Sequence, residues 1–260
     1  MKQIQSLAVL IAASMIISSC NKNDNKDYTA PEPLPQSTVV KASGDLTSAL
    51  TEFRHLLGDN LNTTPGQTGG RREVNWDGVA ASLNNNDAFP FDFFNTVDAA
   101  APAGRKRGLV YVNDGTTFRV DSSDFSGIEA SYAAQFNPFS GKRTFSGANS
   151  NVTQISFQVP GETTPATVNG FGVVFVDVDD ANSTSMEFFN GNKSLGVFKV
   201  PVAGANSFSF LGVQFPNDKI TKVKIIAGNA KLATGVKDLS DGGTKDLVVM
   251  DDFFYSEPIK

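Results

Sequence analysis

Gly170 to Asp179 (GFGVVFVDVD) decides the fold class. At the two-residue period of an extended chain, Phe171, Val173 and Phe175 share one face and Val174 and Val176 share the other. Both faces are apolar, so this segment is a strand in the middle of a sheet that is covered on both sides. Its β-branched and aromatic side chains suit a pleated surface better than a helix of the same length.

Further β-rich runs, punctuated by Gly, Asn, Asp, Ser and Pro, surround this one from Gly69 onward. They are Gly108–Val112, Thr117–Val120, Val152–Val159, Thr167–Val176, Ser185–Phe189, Leu195–Val200, Ser207–Phe215, Ile220–Ala227 and Leu247–Tyr255. This pattern predicts an all-β fold, a jelly-roll-like antiparallel β-sandwich over residues 45–260. Val223 and Ile225 alternate with Lys222 and Lys224, which gives that strand one buried and one wet face. Asn190-Gly191 marks a turn. Between Phe208/Phe210 and Leu211/Val213/Phe215 the apolar phase slips by one residue beside Gly212, and a β-bulge is expected there. Ahead of the strands, Asp45 caps one short helix with Leu46, Leu50, Phe53 and Leu57 on a single face, ended by Gly58. His55 projects to the opposite side of that helix and faces solvent.

The chain has 260 residues, 22 Lys+Arg against 27 Asp+Glu, one Cys and one His. That acidic balance gives no footprint for nucleic acid, and the Cys and His counts exclude intrachain disulfides, Cys-rich metal sites and two-histidine metal motifs. Lys2, the apolar run Leu7 to Ile17, and Ser18-Ser19-Cys20 form a secretion signal over residues 1–19, too short for a bilayer span of about 20 residues. Ile17-Ser18-Ser19-Cys20 resembles the bacterial lipobox, which implies that Cys20 is lipidated and held on the outer membrane, on its periplasmic or cell-surface side. Lipid chains contribute about 0.8 kcal/mol per buried methylene, enough for two or three chains to keep a protein on its membrane. Residues 20–44, with Pro31, Pro33 and Pro35, then form a flexible tether. The Asn21–Asp27 stretch (NKNDNKD) weakly resembles the acidic export signal of Bacteroidetes surface lipoproteins.

Gly70 to Gly78 (GRREVNWDG), Phe93-Phe94-Asn95, Arg107-Gly108-Leu109, Gly170 to Asp179 and Val249 to Tyr255 (VMDDFFY) occur in that order. Together they resemble an uncharacterised family of secreted bacterial proteins with a GRREINWDGV-like stretch early and an FGAVFTDVD-like stretch later. The resemblance spans about residues 48–257 and implies a jelly-roll-like sandwich similar to carbohydrate-binding modules. It carries no activity and no catalytic residue.

Alternation along Leu247 to Tyr255 places Asp251 and Asp252 on opposite faces, each among apolar residues. A buried carboxylate needs a cation or several donors. Two partners are open: a structural Ca²⁺ held by Asp251 and Asp252, or a guanidinium from Arg71 or Arg72. Asp177, Asp179 and Asp180 read as turn residues. Trp76 beside Asp77, with Phe89, Phe91, Phe93 and Phe94 nearby, is the candidate glycan platform, although 21 Phe against one Trp and four Tyr is the aromatic stock of a core. No G-x-S-x-G elbow is present, and a serine triad would require His55. The expectation is a non-enzymatic envelope lipoprotein that binds a glycan, matrix or envelope protein. A carboxylate-based glycan hydrolase and a purely structural protein are the alternatives.

Overall fold

The computed structural model describes residues 33–260, of which Leu34–Lys260 form one compact unit. Cys20 and the signal segment lie outside the described residues. In chain order the elements are β1 (Thr38–Ser43), α1 (Thr47–Leu57), β2 (Arg71–Val74), β3 (Leu109–Tyr111), β4 (Phe118–Asp121), β5 (Thr144–Gly147), β6 (Val152–Gln158) and β7 (Pro165–Ala166). They continue with β8 (Gly170–Val176), β9 (Ser185–Asn190), β10 (Lys193–Lys199), β11 (Phe208–Gln214), β12 (Lys222–Ile226) and β13 (Val249–Ser256). No helix among the described residues is long and apolar enough to cross a membrane.

Two antiparallel sheets form the sandwich. One has the order β1-β11-β8-β13-β5-β4 with β2 also on β13, and the other has β10-β9-β12-β6-β3 with β7 on β6. The chain passes repeatedly from one sheet to the other, as a jelly-roll-like sandwich requires. β8 lies between β11 and β13, and all seven of its residues are buried. β6 buries Thr153, Ile155 and Phe157 and turns the intervening residues outward, while β12 does the same with Val223 and Ile225. The two inner faces share one core that includes Leu109, Phe145, Ile155, Phe171, Val173, Phe188, Leu211, Val223 and Phe253. The Asn190 turn is tight, with Lys193 paired to Asn190 and Gly191 at φ 59°.

A second core lies on the outer face of the larger sheet. Leu46, Leu50, Phe53 and Leu57 of the helical segment pack on Val40, Val174, Phe210 and Phe254. Fully burying a side chain of this size contributes about 1.5–3 kcal/mol, so the amphipathic stripe rather than propensity holds this 11-residue helix in place. Asp45 Oδ1 accepts from Thr47 N at 2.9 Å, and Gly58 ends the helix at φ 124°. His55 faces solvent and bonds Asp59 at 2.6 Å.

Two expectations change. β11 pairs with β8 in unbroken register from Phe208↔Val176 to Gln214↔Gly170, so there is no bulge at Gly212. The apolar phase slips because both faces of β11 are covered: Phe210 meets the helix, while Leu211, Val213 and Phe215 enter the inter-sheet core. Gly212 and Gly172 make room for Phe53, whose ring would stand 2.7 Å from a Cβ at either position. Thr38–Ser43, placed with the tether by composition, is instead an edge strand paired along its length with β11.

Candidate functional site

The last strand carries the first feature of the site. Between Met250↔Phe175 and Phe253↔Val173 the register of β13 on β8 shifts, so Asp251 and Asp252 together occupy the space of one residue. This bulge brings both carboxyls to the same side of the strand, where alternation had separated them. Ser140 Oγ donates to Asp252 Oδ1 at 2.7 Å, and Asp251 Oδ2 accepts from Phe139 N at 2.7 Å and Ser140 N at 3.3 Å. Burial and the neighbouring Asp252 push Asp251 up to about 8, and burial also raises Asp252. Both shifts favour one proton shared by the pair over two charged carboxylates.

Neither expected arginine is bound to Asp251 or Asp252. Arg72 is bound to Glu257 at 2.7 Å and Arg71 to Glu73 at 2.8 Å. The groups that bond Asp251 are instead Phe139 N, Ser140 N and Ser140 Oγ.

Asp252 lines a cavity of about 520 Å³, together with Glu73, Asn75, Arg105 and Arg107 and the rings of Phe93 and Phe94. β2 supplies Glu73, and the helix and β2 hold it: Arg54 Nε and Nη2 donate to its two oxygens at 2.9 Å each, and Arg71 Nε adds a third bond at 2.8 Å. These guanidiniums lower the Glu73 carboxyl against the opposing effect of burial. Arg105 lies over the Phe93 ring, 3.9 Å from its centroid, and Nε donates to Phe93 O at 2.7 Å. Arg107 Nη1 donates to Glu73 O at 2.6 Å. Both guanidiniums are half-buried and bonded to carbonyls, and among the described residues neither pairs with a carboxylate.

Trp76 is not a platform. It has no exposed surface, stacks on Phe145 at 4.7 Å and 6°, and meets Phe94 and Phe253 edge-on. Phe89, Phe93 and Phe94 belong to the same core, and Phe91, 40% exposed, is the exposed aromatic among the described residues. Asp77 is exposed, but its carboxylate is used: Oδ1 accepts Lys142 N at 2.8 Å and clips the Gly141-Lys142 turn. Of the charged residues lining the cavity, Glu73 and Arg107 lie within the GRREVNWDG and Arg107-Gly108-Leu109 motifs, which carry no role for them, and Arg105 has no signal in the sequence beyond its charge.

The turn residues Asp177, Asp179 and Asp180 separate in character. Asp177 is fully buried, Asp179 and Asp180 are half-buried, and Asp238 comes from far along the chain to join the first two. A scan of family models and a search of curated proteins found no match to this chain.

Proposed function

We propose that this chain is an outer-membrane lipoprotein, anchored through Cys20, whose sandwich binds an acidic glycan in the Glu73–Arg105–Arg107 cavity. One observation carries this: two guanidiniums without carboxylate partners stand at a cavity of about 520 Å³ that has aromatic rings in its lining. That volume falls in the range of small-ligand sites, and a planar guanidinium matches a sugar carboxylate or sulfate through paired hydrogen bonds. Asn75, exposed on the lining, supplies a hydrogen-bonding group for sugar hydroxyls. Similarity of the sandwich to carbohydrate-binding modules is an analogy of fold and adds support only in that sense.

The test is a glycan array with the full chain in detergent, comparing uronic-acid or sulfated glycans with neutral ones. Acidic glycans are expected to bind and neutral ones to fail. Arg105→Ala weakens binding at least about tenfold, the equivalent of one charge-assisted contact of roughly 1.4 kcal/mol. Uniform binding, or binding indifferent to Arg105 and Arg107, would remove the reading. The anchor is tested separately: Cys20→Ala is expected to move the protein from the membrane to the soluble fraction, and retention in the membrane would refute lipidation.

A second reading has an observation of its own. Glu73 is held low while Asp252, on the same cavity, is raised, the division of labour that separates an ionised carboxylate from a general acid. Both oxygens of Glu73 are occupied by Arg54, which favours binding over catalysis. Release of reducing ends by the wild type and its loss in Asp252→Asn would support the hydrolase instead.

A further inference from the structure

At one end of the sandwich, two segments far apart in sequence bring three carboxylates together. Asp177 follows directly on β8, Asp179 lies two residues on, and Asp238 begins a short 3-10 turn (Leu239–Asp241) before β13. One oxygen from each lies within 4.8 Å of the others. The charged groups that act on Asp177 are Asp179, Asp238 and Asp246, all of the same sign. Like charges at this spacing repel strongly inside a protein, so either a proton or a cation among them relieves the arrangement.

The hydrogen bonds leave a place for it. Asp177 is fully buried, and its Oδ1 accepts Asn206 N at 2.7 Å, whereas its Oδ2 is buried with no hydrogen-bond partner among the described residues. Such an oxygen costs stability unless a donor or cation reaches it. Asp238 is braced by Leu247 N on Oδ1 and by Ser240 N and Oγ on Oδ2, each at 2.6 Å. Asp246 shapes the loop from the outside: its Oδ1 accepts Asp179 N at 3.2 Å and its Oδ2 accepts Asp180 N at 2.9 Å. The backbone is thereby fixed where the three carboxylates converge.

We infer that Asp177, Asp179 and Asp238 bind one Ca²⁺ ion. All three supply hard carboxylate oxygens, and the chain's only His is on the helix at position 55, so the chemistry selects a hard divalent cation over zinc or copper. Three carboxylates from two loops, with the remaining positions left to water and backbone oxygens, suit the variable six-to-eight coordination of Ca²⁺ better than the strict octahedron of Mg²⁺. The ion ties the loop after β8 to the loop before β13. This site is independent of the glycan cavity.

The test uses the full chain in detergent, stripped with EDTA and titrated with CaCl₂ by calorimetry and thermal melting at neutral pH. One Ca²⁺ per chain is expected, with a rise of several degrees in melting temperature at saturation and a smaller one with equal MgCl₂. Asp179→Asn, at a half-exposed position that the fold tolerates, loses both the heat and the rise. Asp177→Asn loses them too, and Asp251→Asn keeps them. No heat and no shift in the wild type would overturn the site. So would a calcium response that survives both Asp177→Asn and Asp179→Asn, or one that disappears in Asp251→Asn.

Discussion

Glu257→Gln should destabilise the chain by about 3–5 kcal/mol, because it leaves a guanidinium buried without its counter-charge. Arg72 and Glu257 have side-chain exposures of 0% and 1% and meet in two parallel bonds, Nε to Oε2 and Nη2 to Oε1, each 2.7 Å. Asn62 Nδ2 adds a bond of 2.8 Å to Oε2, and Arg72 Nη2 also reaches Thr64 O at 2.9 Å. The pair therefore fastens the residues after β13 to β2 and to the 60s loop, an attachment repeated in the backbone by Glu257 N on Gly70 O. A glutamine keeps the shape and loses the charge. Against a total stability of roughly 5–15 kcal/mol the loss is large, and for a domain of this size it lowers the melting temperature by roughly 10 °C. Denaturant melts would measure it. The double variant Arg72→Met with Glu257→Leu should recover most of the loss, since an apolar pair of similar volume removes the uncompensated charge. A single variant within 1 kcal/mol of wild type, a limit of about the size of one ordinary hydrogen bond, would show that water reaches Arg72 and that the pair is not dry.

That ion pair also marks the boundary of what was legible. The nine strands announced by composition are all present, because each exposes its period of two or its doubly apolar run in the residues themselves. Those that were missed carry the wrong local signal. β2 is Arg-Arg-Glu-Val, which looks solvated until Glu257 is brought from the other end of the chain to neutralise Arg72. β1 begins just after a proline-rich stretch, β7 has only two residues, and β5 (Thr144–Gly147) carries a single large apolar residue, Phe145, among Thr, Ser and Gly. The apolar phase slip beside Gly212 reflects cover by Phe53 on the outer face rather than a bulge, and that cover has no signal within β11 itself.

The site was less legible for the same cause. Trp76 and the Phe cluster followed the chain's overall aromatic usage into the core. The Asp251–Asp252 bulge has no local sequence signal, and alternation gave the opposite geometry. Asp238 gives its meaning to the DVDD turn, yet it sits some 60 residues from Asp177, a separation no motif of local spacing covers.

The bulge has a consequence for pH dependence that the strand's sequence does not suggest. Asp251 titrates at 3.8 when unperturbed and about 8 in the folded chain, raised by burial and by Asp252. Between those values the folded state keeps a proton that the unfolded state has released, so the unfolded state binds fewer protons and stability falls as pH rises. The contribution is fully present below about pH 4 and is lost progressively through about pH 8, which for a displacement of this size amounts to several kcal/mol. Asp252 opposes ionisation of Asp251; Glu73 and Asp77 oppose ionisation of Asp252, and the Arg54 guanidinium, which interacts with Asp252, moderates them. Asp251→Asn supplies a permanent donor toward Asp252 while its carbonyl still accepts Phe139 N and Ser140 N, so it reproduces the protonated state at every pH. Melts between pH 5 and pH 8 are therefore expected to show a falling stability in the wild type and a distinctly flatter curve in Asp251→Asn, with Asp77→Asn, an exposed change, keeping most of the wild-type slope. Parallel curves for wild type and Asp251→Asn would mean that the pair does not hold its proton and that the folded state ionises both carboxyls without cost.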